Sequence, residues 1–360
     1  MSLDNVQQED LAGERNPAHP VRPNAPFGGV SQKRSASDFD FSPPREKSVA
    51  LKFGGTSLLG AKRMLHAATL VRSAAQVSSV TVVVSAMKGV TDRLLNLAHS
   101  LAEGRLSHAR NEAEAVVLLH VDALRELQLD EDDELRVRRE LELLGCDLLH
   151  EVPRSGRVAA SAELSDRLAS FGERFSARLF AAALEKSGVA AVPVASSDFV
   201  LTCDTFRDAQ PHIAESRERG REVLLPLLEA GIVPVVTGFI GATPDGRITT
   251  LGRNSSDYSG ALIAHVVDAE ELIIWTDVDG IYTANPNESA EARLLHELSY
   301  DEAHALAAAG AKVLHAKVLP LAAETEMVVW VRNTFNPQAR GTRIGSAPAR
   351  PGNMNQGDLA

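Results

Sequence analysis

Short apolar runs alternate with longer amphipathic stretches from residue 48 to residue 332. Residues 48–52 form the first apolar run. The turn Gly54-Gly55-Thr56-Ser57 follows it, and a helical pattern continues to Ala75. Residues 80–85 (Val-Thr-Val-Val-Val-Ser) are mostly β-branched and predict a buried strand. Across residues 92–150 the apolar positions recur at spacings of three and four, which predicts helices. Further short strands are predicted at 190–195, 232–236 and 271–278, each followed by a polar or glycine-rich turn, and 327–332 predicts a last strand. Strands alternating with helices imply an α/β fold: a mainly parallel central sheet with helices on both faces.

The stretch 1–47 breaks this pattern. It holds Pro17, Pro20, Pro23, Pro26, Pro43 and Pro44, few β-branched residues and nearly balanced charge. Such a segment buries too little apolar surface to offset its chain entropy, and it is expected to be a disordered tail. Residues 346–360 are expected to be a flexible end, which leaves 48–345 as one domain.

Composition narrows the chemistry. Aromatic residues make up only 4% of the chain, so the core should be aliphatic. The formal net charge is −11, from 37 basic and 48 acidic residues. No overall positive field would draw in nucleic acid or an anionic membrane, so any anionic ligand must be held by a local device. Cys146 and Cys203 lie far apart and form no Cys-x-x-Cys pair. That excludes a disulfide scaffold and a cysteine-rich zinc site, and suits a reducing compartment. No apolar run approaches the roughly 18 residues of a membrane helix. The N-terminal region lacks an apolar signal core, and Asp4, Glu9, Asp10 and Glu14 count against a transit peptide. A cytoplasmic protein is expected.

Three local devices stand out. In the first, Lys52 precedes Gly54-Gly55-Thr56-Ser57 at a strand-to-helix junction. Glycine amides can approach an anion without a Cβ in the way, the following helix presents its positive end, and Thr56 and Ser57 carry hydroxyls. The lysine adds a mobile point charge suited to a transferring phosphoryl group. The spacing is not that of a Walker motif. A plain tight turn with a capped helix would use the same letters, and Pro26-Phe27-Gly28-Gly29-Val30-Ser31 nearly repeats them without the lysine, strand or helix. Context therefore singles out the second occurrence. The next device is Leu251-Gly252-Arg253-Asn254-Ser255-Ser256-Asp257-Tyr258, opening an alanine-rich helix. Arg253 can fork onto a carboxylate or phosphate, while Asp257 can orient a lysine or a magnesium ion, or simply cap the helix. The last is Trp275-Thr276-Asp277-Val278-Asp279-Gly280-Ile281-Tyr282-Thr283, at the carboxyl end of a strand, where ligands of open α/β sheets sit. An ordinary Asp-Gly turn is the alternative there.

Other motifs carry less. The acids 130–134 lack calcium-loop periodicity and read as a solvated helix start, with the helix running from Leu135. The histidines show no paired metal spacing, and His315 reads first as structural. Cys203, within a strand-like Val200-Leu201-Thr202-Cys203-Asp204, reads as a packing residue.

Taken in order, the motifs resemble the aspartate kinases of the amino-acid kinase family. The resemblance runs through Leu51 to Ser57, Val84-Ser85-Ala86-Met87-Lys88-Gly89-Val90-Thr91-Asp92 and Ser170-Phe171-Gly172-Glu173-Arg174-Phe175. It continues through Val236-Thr237-Gly238-Phe239-Ile240-Gly241, the segments around Arg253 and Asp277, Gly310-Ala311-Lys312-Val313-Leu314-His315 and Val331-Arg332-Asn333-Thr334. It covers about 48–345 and implies the three-layer amino-acid kinase fold. The implied activity is ATP- and Mg²⁺-dependent phosphorylation of the side-chain carboxylate of L-aspartate. By the same resemblance Lys52 meets the transferring phosphoryl group, helped by Gly54, Gly55 and Ser57, and Asp257 orients that lysine or the metal-bound phosphates. Glu173 pairs with the substrate ammonium, Arg253 with its α-carboxylate, and Thr91 and Ser256 offer hydroxyls. Ser85, Thr276, Asp277, Tyr282 and Lys312 fall on the nucleotide side. No protein metal ligand is implied, and a homodimer is possible.

The sequence departs from the family pattern at Ser255, where a glycine is usual, at Asn287, and at Ala309 and Ala316. A Cβ at 255 is tolerated if its φ stays negative. Too few residues follow Gly345 for the usual ACT regulatory domains, so insensitivity to lysine and threonine is an expectation. A kinase for a different amino-acid carboxylate, or a non-catalytic nucleotide-binding regulator, is the alternative reading.

Overall fold

The β-branched runs become strands, and most return the chain through a helix laid on one face of the sheet. The computed structural model describes residues 47–346 except 154–158, 160, 254, 285–288, 290, 309–313 and 316. The expected tails, 1–47 and 346–360, lie outside the described residues except for Lys47 and Ser346, as do Lys312, Asn287, Ala309 and Ala316.

The chain opens with β1 (Ser48–Phe53), α1 (Ala61–Ala75) and β2 (Ser79–Val84). A helical block follows: α2 (Val90–Ala102), α3 (Leu106–Leu127), α4 (Glu131–His150), α5 (Ala162–Ala169) and α6 (Phe171–Lys186). Next come β3 (Ala191–Val194), α7 (Ile213–Glu229), β4 (Val233–Thr237), β5 (Ile240–Ala242), β6 (Ile248–Thr250), α8 (Ser256–Val266) and β7 (Glu271–Thr276). The last elements are β8 (Ile281–Tyr282), β9 (Leu294–Leu295), β10 (Glu297–Leu298), α9 (Tyr300–Ala308), α10 (Val318–Glu324), β11 (Val328–Asn333) and β12 (Thr342–Ile344).

The main sheet has the order β10-β12-β11-β7-β1-β2-β4-β3. Its pairings are parallel except that between β11 and β12. Its middle strands are apolar on both faces because helices cover both. Val49, Leu51 and Phe53 join the core under α1, α3 and α6, with Val82, Phe175 and Phe180. Ala50 belongs to the opposite core, with Val83, Leu262, Ile263 and Leu272. Side chains alternate along a strand, so Lys52 follows Ala50 onto the face covered by α8.

Register then gathers the candidate residues. Phe53 pairs with Val84 of β2 and with Trp275 of β7, which levels the carboxyl ends of the three strands at one edge. The expected parallel α/β architecture is present, with two differences at its margins. The sheet continues past the predicted last strand into β12, and β10 adds the outermost edge. The acidic helix start also differs. Asp130 is the cap, accepting the N–H of Asp133 at 2.9 Å, so α4 begins at Glu131. Asp133 is buried rather than solvated and meets Arg136 at 3.3 Å. Among the described residues, no helix is long and apolar enough to cross a membrane.

Candidate active site

At the end of β1 the Lys52 ammonium lies 2.5 Å from Asp257 Oδ1 in the first turn of α8, and both side chains are largely buried. The carboxylate fixes the ammonium beside the Gly54-Gly55 turn instead of leaving it to search solvent. Gly55 is needed there for close approach: a Cβ would stand 2.5 Å from the carbonyl oxygen of Ala86. Its own carbonyl accepts the N–H of Lys88 at 3.1 Å, which ties the turn to the loop after β2.

Two residues of the turn differ in role from expectation. The Gly54 N–H donates to the Trp275 carbonyl at 3.1 Å, so that amide is spent holding β1 to β7. The Ser57 hydroxyl is fully buried against Thr334 Oγ1 at 2.7 Å, so it holds the turn to the end of β11 instead of facing a ligand.

Glu173, in the first turn of α6, is buried, with 3% of its surface exposed. Its Oε1 accepts the Ala86 N–H at 3.0 Å. Its Oε2 is buried and has no partner among the described residues. Burial pushes this carboxyl up to about 8, against the Ala86 amide and the field of Lys52, which pull it down. A buried, half-satisfied carboxyl is costly unless something completes it, and an incoming cation with N–H donors would do so. The preceding Gly172 allows this arrangement. A Cβ at 172 would come within 2.6 Å of the Ala86 side chain, so α6 could not lie so close to the loop. Gly172→Ala is expected to cost about 1–3 kcal/mol in urea denaturation, the range for overpacking a tight core. An unchanged midpoint would contradict that contact.

The start of α8 brings more of the expected residues together. Ser85, expected on the nucleotide side, donates to the Oγ of Ser256, expected on the acceptor side, at 2.9 Å. Ser255 has φ −79°, so the departure from glycine fits the backbone without strain. Its hydroxyl is buried without a partner among the described residues. Arg253 is exposed and lines a cavity between α2 and α5. Thr91 lies in the first turn of α2 and is half-buried.

At the end of β7, Thr276 donates to Asp277 Oδ1 at 3.4 Å, and Asp277 is exposed. Tyr282 is half-buried in β8, which pairs with β9. His315 stacks on Tyr258 at 6.1 Å between centroids, and burial, then Lys317, lowers its pKa. Cys203 is not a packing residue. It is half-buried in a loop, its Sγ accepts the Gln210 N–H at 3.3 Å, and that hydrogen bond leads in lowering its pKa. Among the described residues no group of three or more His, Cys, Asp or Glu is placed to hold a metal ion.

Several site residues escape a reading of the sequence. Asp166 in α5 is buried and accepts three hydrogen bonds of 2.8 Å: from the N–H groups of Arg207 and Thr250 and from the Thr250 hydroxyl. Burial raises its pKa and these donors oppose the rise. Phe239 adopts φ 68°, uncommon for a bulky residue. Its N–H donates to Ser259 Oγ at 2.7 Å and its carbonyl accepts the Leu251 N–H at 2.9 Å, which together hold it there. Asp279 accepts from Asn333 Nδ2 at 2.7 Å and Asn336 Nδ2 at 3.2 Å, and so anchors the loop after β7 to β11. The partners of Asp166 lie 41 and 84 residues away in sequence, and no local pattern announces them.

The sequence profile of the Amino acid kinase family matches residues 47–333. The chain is 36% identical over 307 residues to the lysine-sensitive aspartokinase 3 of Escherichia coli (strain K12), covering 84% of this chain and 65% of that protein. It is 34% identical over 307 residues to the chloroplastic aspartokinase 1 of Arabidopsis thaliana, covering 83% of this chain and 52% of that one. Among solved structures, E. coli aspartokinase III in complex with aspartate and ADP superposes with a TM-score of 0.75 at 34% identity, over 85% of this chain and 66% of the other. The chain thus spans between about half and two thirds of these proteins' own lengths.

Proposed function

The chain belongs to the amino acid kinase family, and from that premise we propose that it phosphorylates the side-chain carboxylate of L-aspartate with ATP, giving 4-phospho-L-aspartate. One observation carries the reading: the buried Glu173 carboxyl with a free Oε2 lies within the field of Lys52, which is itself paired with Asp257. An acceptor with an ammonium at one end and a carboxylate to be phosphorylated at the other satisfies both. The complex of the E. coli relative with aspartate and ADP supports the same choice of ligands.

ATP supplies the phosphoryl group, and Mg²⁺ would neutralise its oxygens. Magnesium commonly uses one or two carboxylates and otherwise phosphate and water, so Asp257, the acid paired with Lys52, would be a sufficient protein contribution. The buried ammonium of Lys52 and the amide of Gly55 suit the phosphate oxygens. In this region of low dielectric, Lys52 stabilises negative charge as it spreads over the transferring group. Asp257 holds Lys52 in place before any ligand arrives, so that little reorganisation remains for the reaction itself. Glu173 and Arg253 fix the acceptor by its ammonium and α-carboxylate, while Ser256 and Thr91 offer hydroxyls. The attacking group is the substrate's own carboxylate, so positioning replaces an enzyme nucleophile. Thr276, Asp277, Tyr282 and Lys312 are assigned to the nucleotide side, and residues 48–345 to a single kinase domain.

Trapping the acyl phosphate with hydroxylamine tests the substrate assignment. With ATP and Mg²⁺, hydroxamate is expected from aspartate and not from glutamate, asparagine or alanine. Hydroxamate from glutamate alone would move the assignment to a longer acid, and ADP formation without any hydroxamate would overturn it.

A further inference from the structure

We propose that the cavity between α2 and α5 is a second binding site, for a small carboxylate with an aliphatic body seated between Arg207 and Arg253. The inference rests on the acceptor role given to Arg253. The cavity has a volume of about 410 Å³, room for more than one amino-acid side chain. Leu95 and Ala98 of α2 and Leu164 and Ala169 of α5 give it an apolar wall. Arg207 and Arg253 also line it: Arg253 is exposed, and Arg207 donates to Ser165 and lies within the field of Asp166. The acid in the lining, Asp166, is already occupied by its three donors. An apolar wall facing two guanidiniums, against one carboxylate already taken up by three donors, suits an amphipathic monocarboxylate, which a guanidinium fork can hold through paired N–H groups.

The backbone at Arg207 strengthens the case. Arg207 adopts φ 72°, a conformation that disfavours any residue with a Cβ. Asp166 holds it there through the Arg207 N–H, and the Ser165 hydroxyl accepts from its guanidinium at 2.9 Å. Strained backbone persists where the surrounding structure over-determines it, and here its result is a guanidinium fixed on the cavity wall. A carboxylate in this seat draws on Arg253 and so competes with the α-carboxylate of aspartate.

Hexanoate is the probe, with the uncharged hexanamide as control, titrated by calorimetry into the full chain without ATP. Hexanoate is expected to bind, with hexanamide about tenfold weaker or worse, because the charge-assisted bonds to arginine are lost. In the kinase assay hexanoate should raise KM for aspartate and leave kcat unchanged. Arg207→Gly should weaken hexanoate about tenfold without lowering the thermal midpoint, since glycine tolerates the positive φ. Ala98→Leu, which fills the apolar wall, should block hexanoate while the reaction with aspartate proceeds.

No binding of hexanoate to an active enzyme overturns the site and leaves the reading of Arg253 standing. Equal binding of hexanamide, undiminished binding to Arg207→Gly, or binding that leaves KM for aspartate unmoved overturns it too. Hexanoate binding that Arg207→Gly weakens, in a protein that phosphorylates nothing, supports the cavity and removes the acceptor role of Arg253.

Discussion

Lys52→Met is expected to lower kcat by about three orders of magnitude, the scale of removing a preorganised donor aimed at developing charge. Methionine keeps the length and apolar stem of the side chain, so the strand and its packing survive. The charge goes, and with it the partner of Asp257 at 2.5 Å. An acid left buried without its cation destabilises the fold by about 3–5 kcal/mol, so the single variant should also unfold earlier in urea. Lys52→Met with Asp257→Asn separates the two effects. The double variant should regain most of the lost stability, because no uncompensated charge remains, and none of the lost turnover. Recovery of activity in the double variant would show that Lys52 matters only for the fold. Near-normal turnover in Lys52→Met would remove it from the chemistry altogether.

Aspartate binding should strengthen as pH rises toward 8 and become nearly independent of pH in Glu173→Gln. In the ligand-free protein Glu173 titrates at about 8, raised from 4.5 mainly by burial. Its neutral form cannot balance an ammonium, so each pH unit below that value should raise KM for aspartate about tenfold, the mass action of one proton. Binding at neutral pH then releases that proton, which calorimetry in buffers of different ionisation enthalpy detects. Glu173→Gln should raise KM about a hundredfold at pH 8, the loss of roughly 3 kcal/mol from a desolvated charge pair. Folding carries the complementary signature. The native state binds one more proton than the unfolded chain between pH 4.5 and about 8. The stability contributed by the raised pKa is therefore complete below 4.5 and is lost as pH rises through 8. A urea midpoint that falls over this range in the parent protein and stays flat in Glu173→Gln is the expected result. A pH-independent KM in the parent would place the ammonium elsewhere.

The sheet was legible where the sequence repeats one physical instruction over several residues. Residues 80–85 could only be a buried strand, and the glycines after Lys52 only a turn. The short strands β10 and β12 span two and three residues, too few to express a period. The site was legible where chemistry and local context coincide, as at Lys52 and Asp257, whereas Glu173 entered only through the family resemblance. It was hidden where the fold joins distant residues. Ser57 looked like a ligand hydroxyl because its neighbours in sequence suit a phosphate, yet it is bound by Thr334, 277 residues on. The Gly54 amide likewise belongs to Trp275, a strand partner that no motif names. Phe239 and Arg207 give no sign in their letters of a positive φ, which only their hydrogen-bond partners explain.

The central claim is that a new bond forms between the acceptor's side-chain oxygen and the γ-phosphorus. Aspartate carrying heavy oxygen in its side-chain carboxylate tests it directly. The protein turns over with ATP and Mg²⁺, hydroxylamine then attacks the acyl carbon, and the released phosphate is weighed by mass spectrometry. Phosphate carrying one heavy oxygen atom is the predicted result, because the bridging oxygen leaves with phosphorus. Unlabelled phosphate would mean that water, not aspartate, receives the phosphoryl group, and would contradict the account.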